Sequence, residues 1–456
     1  MARGRTVWIF VLFLTILRAE DWRMFLGDLP RTSYTADATV NPGNVGRLRQ
    51  LWRTSIGVPV SAAVTAVGGR LYVGDWGGHF YAINGRTGAI LWTTFVGTAP
   101  TAGCPGAAFG PNIGVGSQAV VSGGTVYVGG GDAAVYALDA ATGEIQWRTA
   151  LGDVNAGYFI WSSPLVWQNA LYIGVSSLGD CPLVRGALVR IPLNDPAHPL
   201  IHYLVPEGET GAGVWSSPSV DEAAGIVYVT TGNASGQDAT RGVWGSALLA
   251  MDATSLEIEH YFFLPLSAAQ EDEDMDWGSS PTLIDTPDGE QYVAANGKNG
   301  VFYVFHRPDL GVLWTYPVAI ACAEPISGCG SVSAPSFNGS VVFTGAGASS
   351  ASHSPPGSVY AFDWASGTLL WTYGAPGVVL APVTVTPGLV MVPSTRGFAI
   401  LDAGTGAVLW TDGGSAPLYS QAAVSDGLIY TTYMNGDIVA WRTPDAPGTL
   451  RAPPRR

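Results

Sequence analysis

Charge is scarce in this chain. Asp, Glu, Lys and Arg make up 12% of its 456 residues, about half the roughly 25% of an ordinary soluble domain. The basic side is the thinner, with 21 Lys and Arg against 35 Asp and Glu, so the net charge is −14. Gripping a phosphate backbone takes clustered Lys and Arg, which excludes nucleic acid as a partner. Histidine is rare, and His79, His198, His202, His260, His306 and His353 offer no ligand pair on one element beyond His198 and His202, which flank a Pro in a loop. The sequence has no Gly-x-Ser-x-Gly phrase, which argues against a serine hydrolase. Cysteine is limited to Cys104, Cys181, Cys322 and Cys329. None stands in C-x-x-C or C-x-x-C-H spacing, so neither a zinc ribbon nor covalently attached haem is indicated.

Long apolar runs are missing too. The longest, Val7 to Leu17 with Thr15 inside it, has 11 residues, short of the roughly 20 that cross a bilayer. Arg3 and Arg5 precede it and Leu17-Arg18-Ala19 follows, the pattern of a secretory signal over residues 1–19. A secreted or periplasmic chain with no stable span after cleavage is expected. Export implies an oxidising compartment, where cysteines pair. Cys322 and Cys329 are close enough to close a small loop, which leaves Cys104 and Cys181 for the second bridge.

What is abundant is Gly, 60 residues, beside 47% apolar residues with 16 Trp and 18 Tyr. That composition suits neither a helical bundle nor a disordered chain; it suits short strands and tight turns. An apolar-Tyr-apolar-Gly phrase, or its close variant, recurs around Tyr72, Tyr127, Tyr172, Tyr228, Tyr292, Val342, Met391 and Tyr430, eight copies in all. The period is roughly 50, a propeller or solenoid spacing. A second phrase runs from Asn or Asp through a turn Gly to Trp: Asn84 to Trp92, Asp139 to Trp147, Asp363 to Trp371 and Asp402 to Trp410. It reads as a hairpin whose Trp packs between neighbouring units. A third phrase, Ser-Ser-Pro in several copies, opens another strand before each Tyr phrase. Each unit thus has four antiparallel strands, A to D, and eight such units make an all-β, eight-bladed propeller over residues 20–442. The stretch Trp22 to Trp52 is expected to supply the outer strand of the last blade. The Pro- and Arg-rich residues 443–456 are expected to be a disordered tail.

In a four-stranded meander, the residues after strand B and before strand A fall on one face. That face collects Ser176-Ser177-Leu178-Gly179-Asp180, Thr231-Gly232-Asn233, Asn296-Gly297-Lys298, Trp215 and the acidic run 271–276 that ends in Asp276. Oxygen donors of this kind suit a hard cation such as calcium. An indole plane with a lone Lys suits a planar, negatively charged ligand.

Together these phrases resemble the quinoprotein dehydrogenases that use pyrroloquinoline quinone, and most of all the polyvinyl-alcohol dehydrogenase branch; the resemblance spans about Trp22 to Trp441. It implies calcium ligands at Asp180, Asn233 and Asp276, with Asp180 where the family has Glu. Trp215 would be the plane on which the quinone lies, and Ser162, Ser177 and Lys298 would contact the cofactor. Asp276 and Lys298 would be the catalytic pair. The chain departs from the family's adjacent Cys-Cys, having a single Cys104, and Asn112-Ile113-Gly114 lacks the family's Arg. The resemblance implies oxidation of a small or polymeric alcohol, with electrons leaving to an external acceptor such as a cytochrome c. The alternative is a non-catalytic envelope propeller that binds a protein or polymer, because the same repeat phrase occurs in outer-membrane assembly lipoproteins.

Overall fold

The computed structural model describes residues 21–101, 110–267, 270, 273–323, 325 and 328–444. The expected signal, nearly all of the tail, Cys104, Glu271 and Asp272 lie outside the described residues. The described residues form a ring of eight antiparallel sheets, each of four main strands, the third with a short extra strand, Tyr158–Phe159, paired to the end of its strand B. The first blade is Thr65–Val67, Arg70–Gly74, His79–Asn84 and Ile90–Phe95, and the pattern repeats to the last. Among the described residues the helical segments are two single turns, Val45–Arg47 and Val154–Ala156, and none is long and apolar enough to cross a membrane.

The ring is closed by strands from both ends of the chain. Arg49–Ser55 pairs antiparallel with Asp437–Arg442 and completes the eighth blade. The residues before it, expected in the same outer strand, take a different course. The stretch from Trp22 to Asp37 follows the inner rim of the ring, where every A strand presents an unpaired edge. Trp22 exchanges both backbone hydrogen bonds with Ala66 of blade 1, and then Val121, Val220, Leu283, Phe337 and Val385, on blades 2, 4, 5, 6 and 7, donate backbone N–H groups to residues 23–33 in blade order. The segment thereby satisfies inner-edge donors that would otherwise be orphaned.

At four junctions, neighbouring blades dock through an outer-strand Trp and the turn Gly of the next blade's second phrase. Trp52 Nε1 donates to Gly85 O at 2.8 Å, and Trp371 Nε1 donates to Ala403 O at 2.9 Å, each across to the next blade's turn. The turn Gly lies flat on the indole. A Cβ added at Gly88 would come within 2.7 Å of Trp52, and one at Gly143 within 2.5 Å of Trp92. Both glycines also have positive φ, so any side chain there is excluded twice. Cys322 and Cys329 form the expected disulfide. Cys181 is disulfide-bonded as well.

Trp52→Ala should lower stability by about 3–5 kcal/mol, the range for deleting a buried Trp, read as a lower urea midpoint. Gly88→Ala should destabilise too. The two combined should cost less than their sum, because they break one contact.

Candidate active site

On the face where strands A begin and strands B end, the ring encloses a cavity of about 600 Å³ on its axis. Its wall follows from the repeat. Each blade contributes the residue just before the first serine of its Ser-Ser phrase, or the equivalent position, and the residue just after that first serine. The first layer includes Gly116, Trp161, Trp215 and Gly278, and the second includes Gln118, Ser163, Ser217 and Ser280.

The two serines of the phrase do different jobs. The first ties strand A to strand B within its blade: Ser162 Oγ accepts from Gly174 N at 3.0 Å, and Ser279 Oγ accepts from Asn296 N at 2.7 Å. The second ties blade to blade. Gln118 N donates to Ser163 Oγ, Ser163 N to Ser217 Oγ and Ser217 N to Ser280 Oγ, at 3.0, 2.9 and 2.8 Å. Ser162 is therefore fully buried in its blade and does not border the cavity, where its neighbour Ser163 does.

Most of the residues singled out from sequence do meet here. Ser177, Asp180, Trp215, Asn233, Asp276 and Lys298 all line the cavity. Ser177 Oγ donates to Asp180 Oδ1 at 2.5 Å and accepts from Asp180 N. Asn233 also borders a smaller pocket of about 180 Å³ with Gln237 and Glu273. Among the described residues no three His, Cys, Asp or Glu side chains gather as a ready metal cluster; a cation here would depend on the Asn233 amide beside the two aspartates.

The charged centre belongs to blades 4 and 5. Lys298 Nζ lies 2.9 Å from Asp276 Oδ1 and 2.8 Å from Asp274 Oδ2, and 5.3 Å from the centre of the Trp215 ring. Trp215 Nε1 donates to Asp276 Oδ2 at 3.2 Å. The lysine backbone is pinned at both ends, its N–H donating to Asp276 O and its C=O accepting from Cys322 N. Burial raises the Asp276 pKa to about 7, with the Lys298 charge opposing and the Asp274 charge adding. Burial works against the Lys298 charge as well, but the two carboxylates outweigh it and hold the ammonium above its ordinary pKa.

Sequence reasoning missed Asp274, Trp76, Trp161 and Tyr419, all of which border the cavity. Trp161 could have been found, because it stands immediately before its Ser-Ser just as Trp215 does. Glycines make room for both indoles. A Cβ at Gly116 would meet Trp161 at 2.6 Å, and one at Gly278 would meet Trp215 at 2.8 Å. A flat face, a buried ammonium and hard oxygen donors around one cavity fit a planar anionic ligand with a divalent cation beside it.

Residues 204–314 match the family described as glucose/ethanol/alcohol dehydrogenase, β-propeller domain, and residues 107–180 match outer membrane protein assembly factor BamB. The chain is 24% identical over 331 residues to a polyvinylalcohol dehydrogenase of Pseudomonas sp, covering 64% of this chain and 50% of that one. It is 28% identical over 247 residues to the quinohemoprotein alcohol dehydrogenase of Comamonas testosteroni, covering 48% and 34%. The chain thus spans about half the length, or less, of such curated relatives. Among solved structures, a europium-containing methanol dehydrogenase superposes with a TM-score of 0.76 at 17% identity, covering 93% of this chain and 98% of that one. BamB from Moraxella catarrhalis superposes with a TM-score of 0.60 at 16% identity, covering 87% and 99%.

In metal-free protein, Lys298→Met should cost about 3 kcal/mol in urea unfolding, the low end for breaking a buried pair, because Asp276 can take up a proton instead. Adding Asp276→Asn should recover part of that loss, as a double-mutant cycle reads it.

Proposed function

We propose that this chain, which carries the propeller of the pyrroloquinoline-quinone-dependent alcohol dehydrogenases, is an exported dehydrogenase that binds the quinone with calcium in the axial cavity and oxidises an alcohol. Electrons would pass to an external acceptor such as a cytochrome c. The observation that carries this reading is the buried Asp276–Lys298 pair beside the Trp215 indole. A polymeric alcohol is a candidate substrate, because two of the relatives are named polyvinylalcohol dehydrogenases.

Bound there, the quinone would supply a two-electron acceptor and calcium a Lewis acid at its side. The chain's own residues have separable tasks. Asp276 is the general base that takes the hydroxyl proton; without calcium, burial brings its pKa to about 7, near the range in which a general base works at neutral pH. Lys298 remains protonated and offers an N–H to an oxygen that gains negative charge. Trp215 provides the flat face, with Gly278 leaving the space beside it. Asp180, Asn233 and Asp276 are the oxygen donors for calcium. Phe25, from the segment along the inner rim, lines the same cavity and limits water on that side.

The rival reading, a non-catalytic scaffold, has the match of residues 107–180 in its favour. It gives no reason to bury an ammonium against two carboxylates. Such burial is on balance neutral or destabilising compared with apolar packing, and perturbed titratable groups in a cleft mark functional sites more often than structural ones.

The test is a titration of the purified protein with quinone and calcium, followed by dye reduction with alcohols. Asp276→Asn should keep quinone binding and lose turnover by on the order of 10²-fold or more, the scale of general-base catalysis. Asp180→Ala should weaken binding itself by lowering calcium affinity. Trp215→Ala should weaken it by about 1–3 kcal/mol, as for other aromatic stacking platforms. A wild-type protein that neither binds the quinone nor reduces the dye hands the case to the scaffold.

A further inference from the structure

Lys298 is the only lysine in the chain, and two carboxylates hold it where one would neutralise it. Those acids come from one loop, two residues apart, yet they are held very differently. The Asp276 side chain is 3% exposed and its second oxygen accepts from Trp215, whereas the Asp274 side chain is 40% exposed. The lysine side chain is 6% exposed, and its backbone is fixed at both ends by Asp276 and Cys322. The backbone anchor of the ammonium is therefore fixed, and its reach toward a ligand is set by the side chain alone. The ammonium has three N–H donors, and the two carboxylates lie within hydrogen-bonding distance of it. That leaves one N–H for an oxygen arriving over the Trp215 face, which would then put a third negative oxygen on one ammonium unless a partner moves away. Burial decides which: an exposed ion pair contributes little, while separating a buried one leaves a charge stranded away from water.

We propose that Asp274 is the displaceable counter-ion of the cavity, holding the Lys298 ammonium until a negatively charged or strongly polarised oxygen of a planar ligand takes its place, while Asp276 stays paired. Asp274 is a positioning residue in this account and touches no reacting atom. The inference deepens the quinone reading and rests on it for the identity of the ligand. The counter-ion role itself rests on charge alone, since two carboxylates over-neutralise one ammonium and screen it from anions.

Asp274→Asn keeps the shape and removes the charge. Because the chain has one lysine, its modification can be followed on a single peptide by mass spectrometry, apart from the terminal amine. Rates are measured with anionic trinitrobenzenesulfonate and with neutral fluorodinitrobenzene, and their ratio cancels changes in access and in the protonation of the amine. The ratio should rise roughly two- to fivefold in Asp274→Asn, the scale of one exposed ion pair, and stay near the wild-type value in Asp274→Glu. In calorimetric titration with pyrroloquinoline quinone and calcium, the Asn variant should bind more tightly by a similar factor. An unchanged or lower ratio overturns the proposal, and so does a raised ratio with weaker quinone binding. If the wild-type protein binds no quinone, the ratio still decides the counter-ion role, and it is the quinone reading that falls.

Discussion

Eight sheets close into a ring only if each docks on the next, and at four junctions of this ring the docking rests on an indole lying against a glycine. The indole nitrogen donates to a carbonyl of the next blade's turn while the ring face covers the turn glycine, as with Trp52 on Gly85 and Gly88. A large aromatic surface supplies the burial and one directed hydrogen bond fixes the angle. Closure adds a second constraint, because blade 8 draws strands from both ends of the chain. With the ring set, eight A strands turn their inner edges to the axis, and the segment from Trp22 to Asp37 covers most of them.

The ring then determines the site. Two positions per blade face the axis, so sixteen side chains are placed before any chemistry is chosen, and the chemistry lies in how blades 4 and 5 depart from the rest. Positions that hold Gly116, Val332 or Leu380 in other blades hold Trp161 in blade 3 and Trp215 in blade 4, and of these two indoles it is Trp215 that donates to Asp276. Asp276 and Lys298 then flank the start of strand A and the end of strand B of one blade. Repetition fixes where side chains point, and the breaks in repetition carry the charge.

The fold was legible because its two main contacts are written as spacing: the eight Tyr phrases count the blades, and the eight-residue step from Asp or Asn to Trp, with Gly inside it, is the docking hairpin. The face of the site was legible as well, since strand parity alone gathers Asp180, Asn233, Asp276 and Lys298. Finer detail was not. Which serine of a Ser-Ser pair faces the axis depends on the local turn of the backbone, and Ser163, where Ser162 was expected, borders the cavity. Asp274 was hidden in an acidic run that reads as a solvated loop. The path of residues 22–37 has no period because it meets six of the blades through one or two backbone bonds each, which leave no pattern in side chains.

Position matters more for a charge than for an apolar group, because electrostatic work in a poorly solvated cavity depends on donors that are already aimed. Lys298 meets that requirement through parts supplied by three neighbouring elements. Its N–H is taken by Asp276 O before strand A of blade 5, its C=O by Cys322 N in the disulfide-closed loop that leads to blade 6, and its ammonium faces the Trp215 ring of blade 4. The Asp276 carboxylate is steadied in turn by the Trp215 N–H. The distance between base, ammonium and aromatic plane is thus set by how blade 4 docks on blade 5 and blade 5 on blade 6. Loosening that docking anywhere along these three blades would spread those distances before it unfolded the ring, so in this protein the packing between blades and the geometry of the site are one property.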